Sequence, residues 1–303
     1  MSSYDEEHGH DLAFDHGFDH DESQRSEPRH HRPARKPKRK RSVHDLLLPQ
    51  NAERATSTAT FADPDLQGLY ERGYFDTLLG EVKGGKEATV YLVAREGRRL
   101  AAKIYADIET RAFRDDAVYW NDVFIADRRT AKAMKNKTRA GRRAQQAIWV
   151  AREYAYLWRL VEAGVPVPRP AVGPEPSVYG AAGSVVLMEF VGENDEPAPR
   201  LSDVRLERED AEDAYRQSAR LLVRLAELGL VHGDFSTYNL LWHEGKVVLI
   251  DVPQMMELAV SRSARGLLER DVRTLVASFR RLRVHADPRA LLAEALGAAN
   301  TSL

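Results

Sequence analysis

Two carboxylates and an amide stand at suggestive spacing late in the chain. Asp234 lies in the stretch His232-Gly233-Asp234-Phe235-Ser236-Thr237-Tyr238-Asn239, Asn239 closes that stretch, and Asp251 follows the apolar run of residues 247–250. Such a set suits phosphoryl transfer. In-line attack on a γ-phosphate needs one carboxylate to orient the attacking hydroxyl, and oxygen ligands from a second carboxylate and an amide to hold Mg²⁺. Asp234 is the candidate for the first task, and Asn239 with Asp251 for the second. Each residue alone is as much at home in a turn or at a strand end; the combination carries the reading.

The elements around them are arranged to bring the three together. Residues 211–228 have helical apolar spacing and close at Gly229, a residue suited to a left-handed helix end. Residues 240–250 read as a hairpin turning at Glu244-Gly245, which returns Asp251 beside Asn239. Upstream, Asp63-Pro64 reads as an N-cap with Pro at the first helical position. Strands are expected over 89–93 and 100–105, joined at Glu96-Gly97, with an amphipathic helix over 145–163 and a strand over 184–191.

Lys83-Gly84-Gly85-Lys86-Glu87 is a candidate phosphate loop, because paired glycines let backbone approach a nucleotide and Lys86 adds charge. Gly80 to Lys86 fits the start of a Walker A pattern, yet Glu87 stands where Ser or Thr is needed and a β-branched run follows where a helix should open. A glycine-rich hairpin over ATP fits better. Lys103, at the end of an apolar strand, is the candidate for the α- and β-phosphates, held by a helical glutamate. Glu153, mid-helix among aromatic residues, is preferred over Glu162, which lies in the last turn.

These residues resemble the RIO family of atypical protein kinases, and its first subfamily most closely. The resemblance rests on Gly85-Lys86-Glu87-Ala88-Thr89-Val90-Tyr91, Ala102-Lys103-Ile104-Tyr105, Leu187-Met188-Glu189-Phe190-Val191-Gly192, Leu230-Val231-His232-Gly233-Asp234 with Tyr238-Asn239, and above all Ile250-Asp251-Val252-Pro253-Gln254. It implies an α+β, bilobal kinase-like fold, with a β-rich N-lobe from about 75 to 188 and a short helical C-lobe over 189–303. It also implies ATP with Mg²⁺ or Mn²⁺, Met188 as gatekeeper, and the Glu189 carbonyl and Val191 amide on the adenine edge. Val90 and Ala101 join Gly84, Gly85 and Lys86 as nucleotide-binding candidates, and Asp251 becomes a position able to accept phosphate transiently. The acceptor would be a protein or the chain itself. The 52 residues after Asp251 (303 − 251) leave little room for a full peptide-docking platform, so autophosphorylation or ATP hydrolysis is expected to matter as much as transfer to a partner.

Composition bounds the rest. A chain of 303 residues with 43% hydrophobic content can build a real core, and zero cysteines exclude disulfides and thiolate metal sites. The net charge of −1 hides an asymmetry: residues 1–28 hold nine acids against one Arg, whereas 29–41 hold eight Lys or Arg and no acid. Neither block has apolar periodicity, so residues 1–60 are expected to be a disordered tail ahead of a kinase domain over 61–303. Residues 128–143 carry eight further basic residues and no acid, and with 29–41 form a footprint suited to RNA or a ribosomal particle. No apolar run reaches membrane-spanning length, which points to a cytoplasmic protein without membrane contact. Two rivals stand beside the protein kinase. One is an aminoglycoside- or choline-type small-molecule phosphotransferase, which shares the His-Gly-Asp and Asn pattern; the other is a non-catalytic RNA- or ribosome-binding scaffold.

Overall fold

Asp63 caps the first helix: its Oδ1 accepts the backbone N–H of Asp65 and Leu66, and Pro64 supplies the fixed φ of the first helical position, so α1 runs Pro64–Glu71. This computed structural model describes residues 60–85, 88–105, 128–136, 138–259 and 263–301. Apart from Thr60, the tail expected over 1–60 lies outside the described residues, as does Lys86 of the phosphate loop.

Three strands follow: β1 (Thr77–Gly84), β2 (Ala88–Arg95) and β3 (Arg98–Tyr105). Glu96 and Gly97 both have positive φ, 50° and 79°, the backbone that turns a two-residue hairpin with the twist of its strands. β1 pairs with β2 through two register shifts, and such irregularities bend a strand. Helices α2 (Arg128–Lys135) and α3 (Arg139–Glu162) then carry the basic residues of 128–143 apart from Lys137, which lies outside the described residues. α3 begins six residues before the expected start at Gln145. Its cap is Thr138, whose hydroxyl accepts the Gly141 N–H, and its first turn is arginine-rich, so apolar periodicity does not reveal it.

A one-turn helix α4 (Pro176–Tyr179) leads to β4 (Val185–Glu189), which completes an antiparallel sheet in the order β1-β2-β3-β4. The outer edge of β4 is occupied: Ala171 N donates to Leu187 O at 2.9 Å and Glu189 N to Arg169 O at 2.8 Å. Tyr154 of α3 donates its hydroxyl to Val185 O and accepts the Leu187 N–H, which ties that helix to the sheet.

The remainder is largely helical. A small ribbon, β5 (Gly192–Glu193) with β6 (Glu196–Pro197), precedes α5 (Arg208–Glu227), and Gly229 beyond it has φ 72°. Then come β7 (Leu230–Val231), the hairpin of β8 (Leu240–His243) and β9 (Lys246–Leu249), and β10 (Met256–Glu257), which pairs with β7. Helices α6 (Ala264–Arg280) and α7 (Pro288–Thr301) close the fold. Leu225, Leu230, Phe235, Leu240, Leu249 and Phe279 are fully buried between these elements. The architecture is the expected α+β one, an antiparallel sheet followed by a helical lobe. Among the described residues no helix is long and apolar enough to cross a membrane.

Candidate active site

Alternation along β3 puts Lys103 and Tyr105 on one face of the sheet, toward α3. There Lys103 Nζ lies 2.7 Å from Glu153 Oε1 and 2.8 Å from Asp251 Oδ1. The Tyr105 hydroxyl donates to Glu153 Oε2, so both oxygens of that carboxylate are engaged. Glu162 takes no part in this cluster. Burial alone would lower Lys103, but Asp251 and Glu153 outweigh it and hold the ammonium charged well above its ordinary range. Glu153 is pushed up by burial against the pull of Lys103, since two carboxylates share one cation. The residue beside Glu153 braces the other partner: Arg152 donates to Pro253 O at 3.0 Å and Met255 O at 2.6 Å, fixing the segment after Asp251.

Asp234 sits in the loop between β7 and β8, which ends in a 3-10 turn over Thr237–Asn239 capped by the Ser236 hydroxyl. Asn239 Nδ2 donates to Asp234 O at 2.9 Å and Asp234 Oδ2 at 3.0 Å, so the amide shapes the loop and orients the exposed carboxylate. The hairpin returns as expected, with Glu244 and Gly245 at φ 49° and 72°, and Ile250 N donates to Asn239 O at 3.0 Å. Asp251 therefore lies beside Asn239. It has φ 64°, a left-handed backbone that Asp tolerates better than most residues.

The loop is clamped from below by α6. Asp271, 1% exposed, accepts Gly233 N at 2.7 Å and Phe235 N at 3.1 Å, bracketing Asp234, while Arg270 donates to Gly233 O. Burial raises the Asp271 carboxyl to about 6 against those amide bonds. His232 is buried edge-to-face on Phe235, and burial lowers its imidazole to about 4, which keeps it neutral at pH 7. Its Nδ1 accepts Asp234 N at 3.3 Å. Gln254 Nε2 donates to Asp251 O at 2.7 Å and lies 3.3 Å from the same His232 nitrogen, linking the two acidic segments.

A cleft of about 480 Å³ opens between sheet and helical lobe, above Lys103, Glu153 and Asp251. Gly85, Val90, Ala101, Met188, Glu189 and Val191 line it, together with Val82, Leu241 and Ile250. Gly84 does not: it ends β1 opposite Thr89. The Val191 carbonyl is taken by Ala198 N. Apolar walls from Val82, Val90, Ala101, Met188, Leu241 and Ile250, with the Lys103 cluster at one end, suit a flat base joined to phosphates.

The donor set also fits a hard cation. With Nδ2 committed to Asp234, the Asn239 side chain keeps an acceptor oxygen, and Asp251 adds a carboxylate. Among the described residues no three His, Cys, Asp or Glu gather into a ready-made cage, and a cation whose shell is completed by substrate phosphates and water needs none.

Reading from sequence missed Tyr105 as the support of Glu153 and Arg152 as the brace of the Asp251 segment. Asp271 was no candidate either, yet its carboxylate accepts two amides of the Asp234 loop. Alternation on β3 was a usable signal for Tyr105; for Asp271 the signal was an acid on an apolar helix stripe.

A family model described as RIO domain matches residues 89–291. The chain is 34% identical over 230 residues to the RIO-type serine/threonine-protein kinase Rio1 of Haloferax volcanii, covering 76% of this chain and 71% of that protein. It is 34% identical over 190 residues to serine/threonine-protein kinase RIO1 of Caenorhabditis elegans, covering 62% of this chain and 34% of the relative. With serine/threonine-protein kinase RIO3 of Bos taurus it shares 29% identity over 228 residues, 73% of this chain and 41% of the relative. It thus spans most of the archaeal relative and well under half of the two animal ones.

Proposed function

The chain belongs to the RIO family of serine/threonine-protein kinases, and on that premise we propose that its cleft binds ATP with Mg²⁺ or Mn²⁺ and that Asp234 directs the γ-phosphoryl group to a hydroxyl of a protein, including its own. The observation that carries this reading is Lys103 held between Glu153 and Asp251 at the charged end of the cleft. Lys103 pairs with the α- and β-phosphates, and Glu153, backed by Tyr105, keeps it in place. Asn239 and Asp251 hold the divalent cation, which when bound neutralises charge on the phosphate oxygens. Asp234 orients the acceptor hydroxyl and takes its proton, and Asn239 Nδ2 fixes the carboxylate for that task. Met188, with the Glu189 carbonyl and Val191 amide, receives the adenine, while Val90 and Ala101 pack on the base.

Labelled ATP with Mg²⁺ tests this in the full chain against Asp234→Ala. Transfer to protein, or ATP hydrolysis, is expected in the wild type and lost in the variant. Equal activity in both refutes the mechanism, and label on a small alcohol in place of protein refutes the acceptor class. A role for residues 29–41 and 128–143 on RNA or a ribosomal particle rests on their charge alone. A chain lacking 29–41 should then show a shallower salt dependence of RNA binding.

A further inference from the structure

A second groove, of about 480 Å³, lies between the catalytic loop and α6 and is lined by Tyr238, Arg270, Arg273, Thr274, Ser278 and Arg281. The helical positions recur three and four apart, so they form one face of α6. Arg273 and Arg281 are exposed, and the groove lining holds no carboxylate. No ion pair among the described residues involves either arginine. Tyr238, 51% exposed, is one of two large apolar side chains left open to solvent among the described residues. The groove begins at the reacting end: Arg270 bonds Gly233 O, next to Asp234, and Tyr238 precedes Asn239.

We propose that this groove docks an acidic segment of the protein acceptor, with carboxylates a few residues from the hydroxyl presented to Asp234. The proposal rests on the kinase reading only for the position of that hydroxyl. At about 1.5 Å rise per residue, Arg273 and Arg281 stand about 12 Å apart along the helix, the reach of three to four residues of extended chain. Guanidinium forks match carboxylates in two-point contact, and Tyr238 offers an amphipathic surface for the intervening side chains. A short single line of arginines beside a phosphoryl-transfer carboxylate suits a peptide strand better than the many phosphate contacts that a nucleic acid requires.

The test is fluorescence anisotropy of a labelled peptide with a central serine flanked by aspartates, titrated with the full chain beside a twin carrying asparagines. Variants are Arg273→Glu with Arg281→Glu, and the same pair as Gln, which avoids placing an acid at a helix C-terminus. Melting temperature serves as the folding control. The wild type should bind the acidic peptide about tenfold more tightly than its twin, and both double variants should erase that preference while ATP turnover stays within about twofold. Equal binding of the two peptides by the wild type, or an unchanged preference in the variants, overturns the proposal. So does a single-stranded RNA whose binding falls more than the peptide's when the arginines are changed. Binding is read without phosphate transfer, so a chain that prefers the acidic peptide but phosphorylates nothing refutes the kinase reading and leaves the groove assignment standing.

Discussion

Replacing Asp271 tests how the catalytic loop is held. Asp271→Ala strips the acceptor from the buried amides of Gly233 and Phe235; at about 1–3 kcal/mol for each orphaned donor, the loss centres near 4 kcal/mol. In a domain of this size that alone would lower the melting temperature by about 10 °C, but Ala also sheds the cost of ionising the buried carboxyl, so the drop should be a few degrees at pH 7 and larger at pH 5. Asp271→Asn behaves differently. The folded carboxyl titrates at about 6, above its ordinary 3.8, so between those values the native state holds more protons than the unfolded one. This contribution to stability is complete below 3.8 and is lost as pH rises through 6, a loss of about 3 kcal/mol by pH 7. Asn removes that cost of ionisation and keeps one acceptor, so at pH 7 its melting temperature should stay within a few degrees of wild type. Activity should divide the other way. Protonating Asp271 turns one acceptor oxygen into a donor facing an amide, so wild-type turnover should fall on an acid limb near pH 6 that Asp271→Asn lacks. Thermal melts and ATP turnover from pH 5 to 8 read both effects. An Ala variant that melts within about 2 °C of wild type at pH 5, or an Asn variant with the same acid limb, refutes the clamp.

The remaining outcomes follow from neighbouring groups. Tyr105→Phe removes the hydroxyl that donates to Glu153 Oε2; it should cost about 1–3 kcal/mol and raise the KM for ATP more than it lowers kcat, measured by melting and steady-state kinetics. His232 has the opposite acid behaviour to Asp271: its folded value of about 4 lies below the ordinary 6.5, so its stabilisation is present above 6.5 and lost as pH falls through 4. His232→Asn should therefore flatten the fall in stability between pH 6.5 and 4 by about 3 kcal/mol, as seen in denaturant midpoints across that range.

What could be read from sequence had local causes. Glu96-Gly97 and Glu244-Gly245 declare their hairpins through the Gly, which takes positive φ without strain at the second turn position, and the second hairpin alone brings Asp251 beside Asn239. Glu153 could be separated from Glu162 because only the former lies on the apolar face of α3, where an unpaired carboxylate is untenable. The early start of α3 was hidden because its first turn bears arginines and is set by the Thr138 cap. Gly84 is expected beside Gly85 in the phosphate loop, yet it stays paired with Thr89 at the end of β1 and only Gly85 lines the cleft.

Asp271 shows the limit most clearly and also how to move it. It stands four residues from Leu267 and four from Leu275, on the stripe that α6 buries. An acid there must find donors, and none of its own helix neighbours on that stripe can supply them. Its donors are backbone amides 36 and 38 residues away in sequence, and an amide leaves no mark on residue type. The position of the acid is nonetheless informative: a carboxylate on an apolar helix stripe, downstream of a loop of short polar residues, predicts that the helix clamps that loop by its main chain. In this fold the prediction identifies α6 as the platform beneath Asp234, and the same helix turns its arginine face outward to the groove at Tyr238. Loop position is carried by one side of this helix, and the acceptor docking proposed above falls to the other.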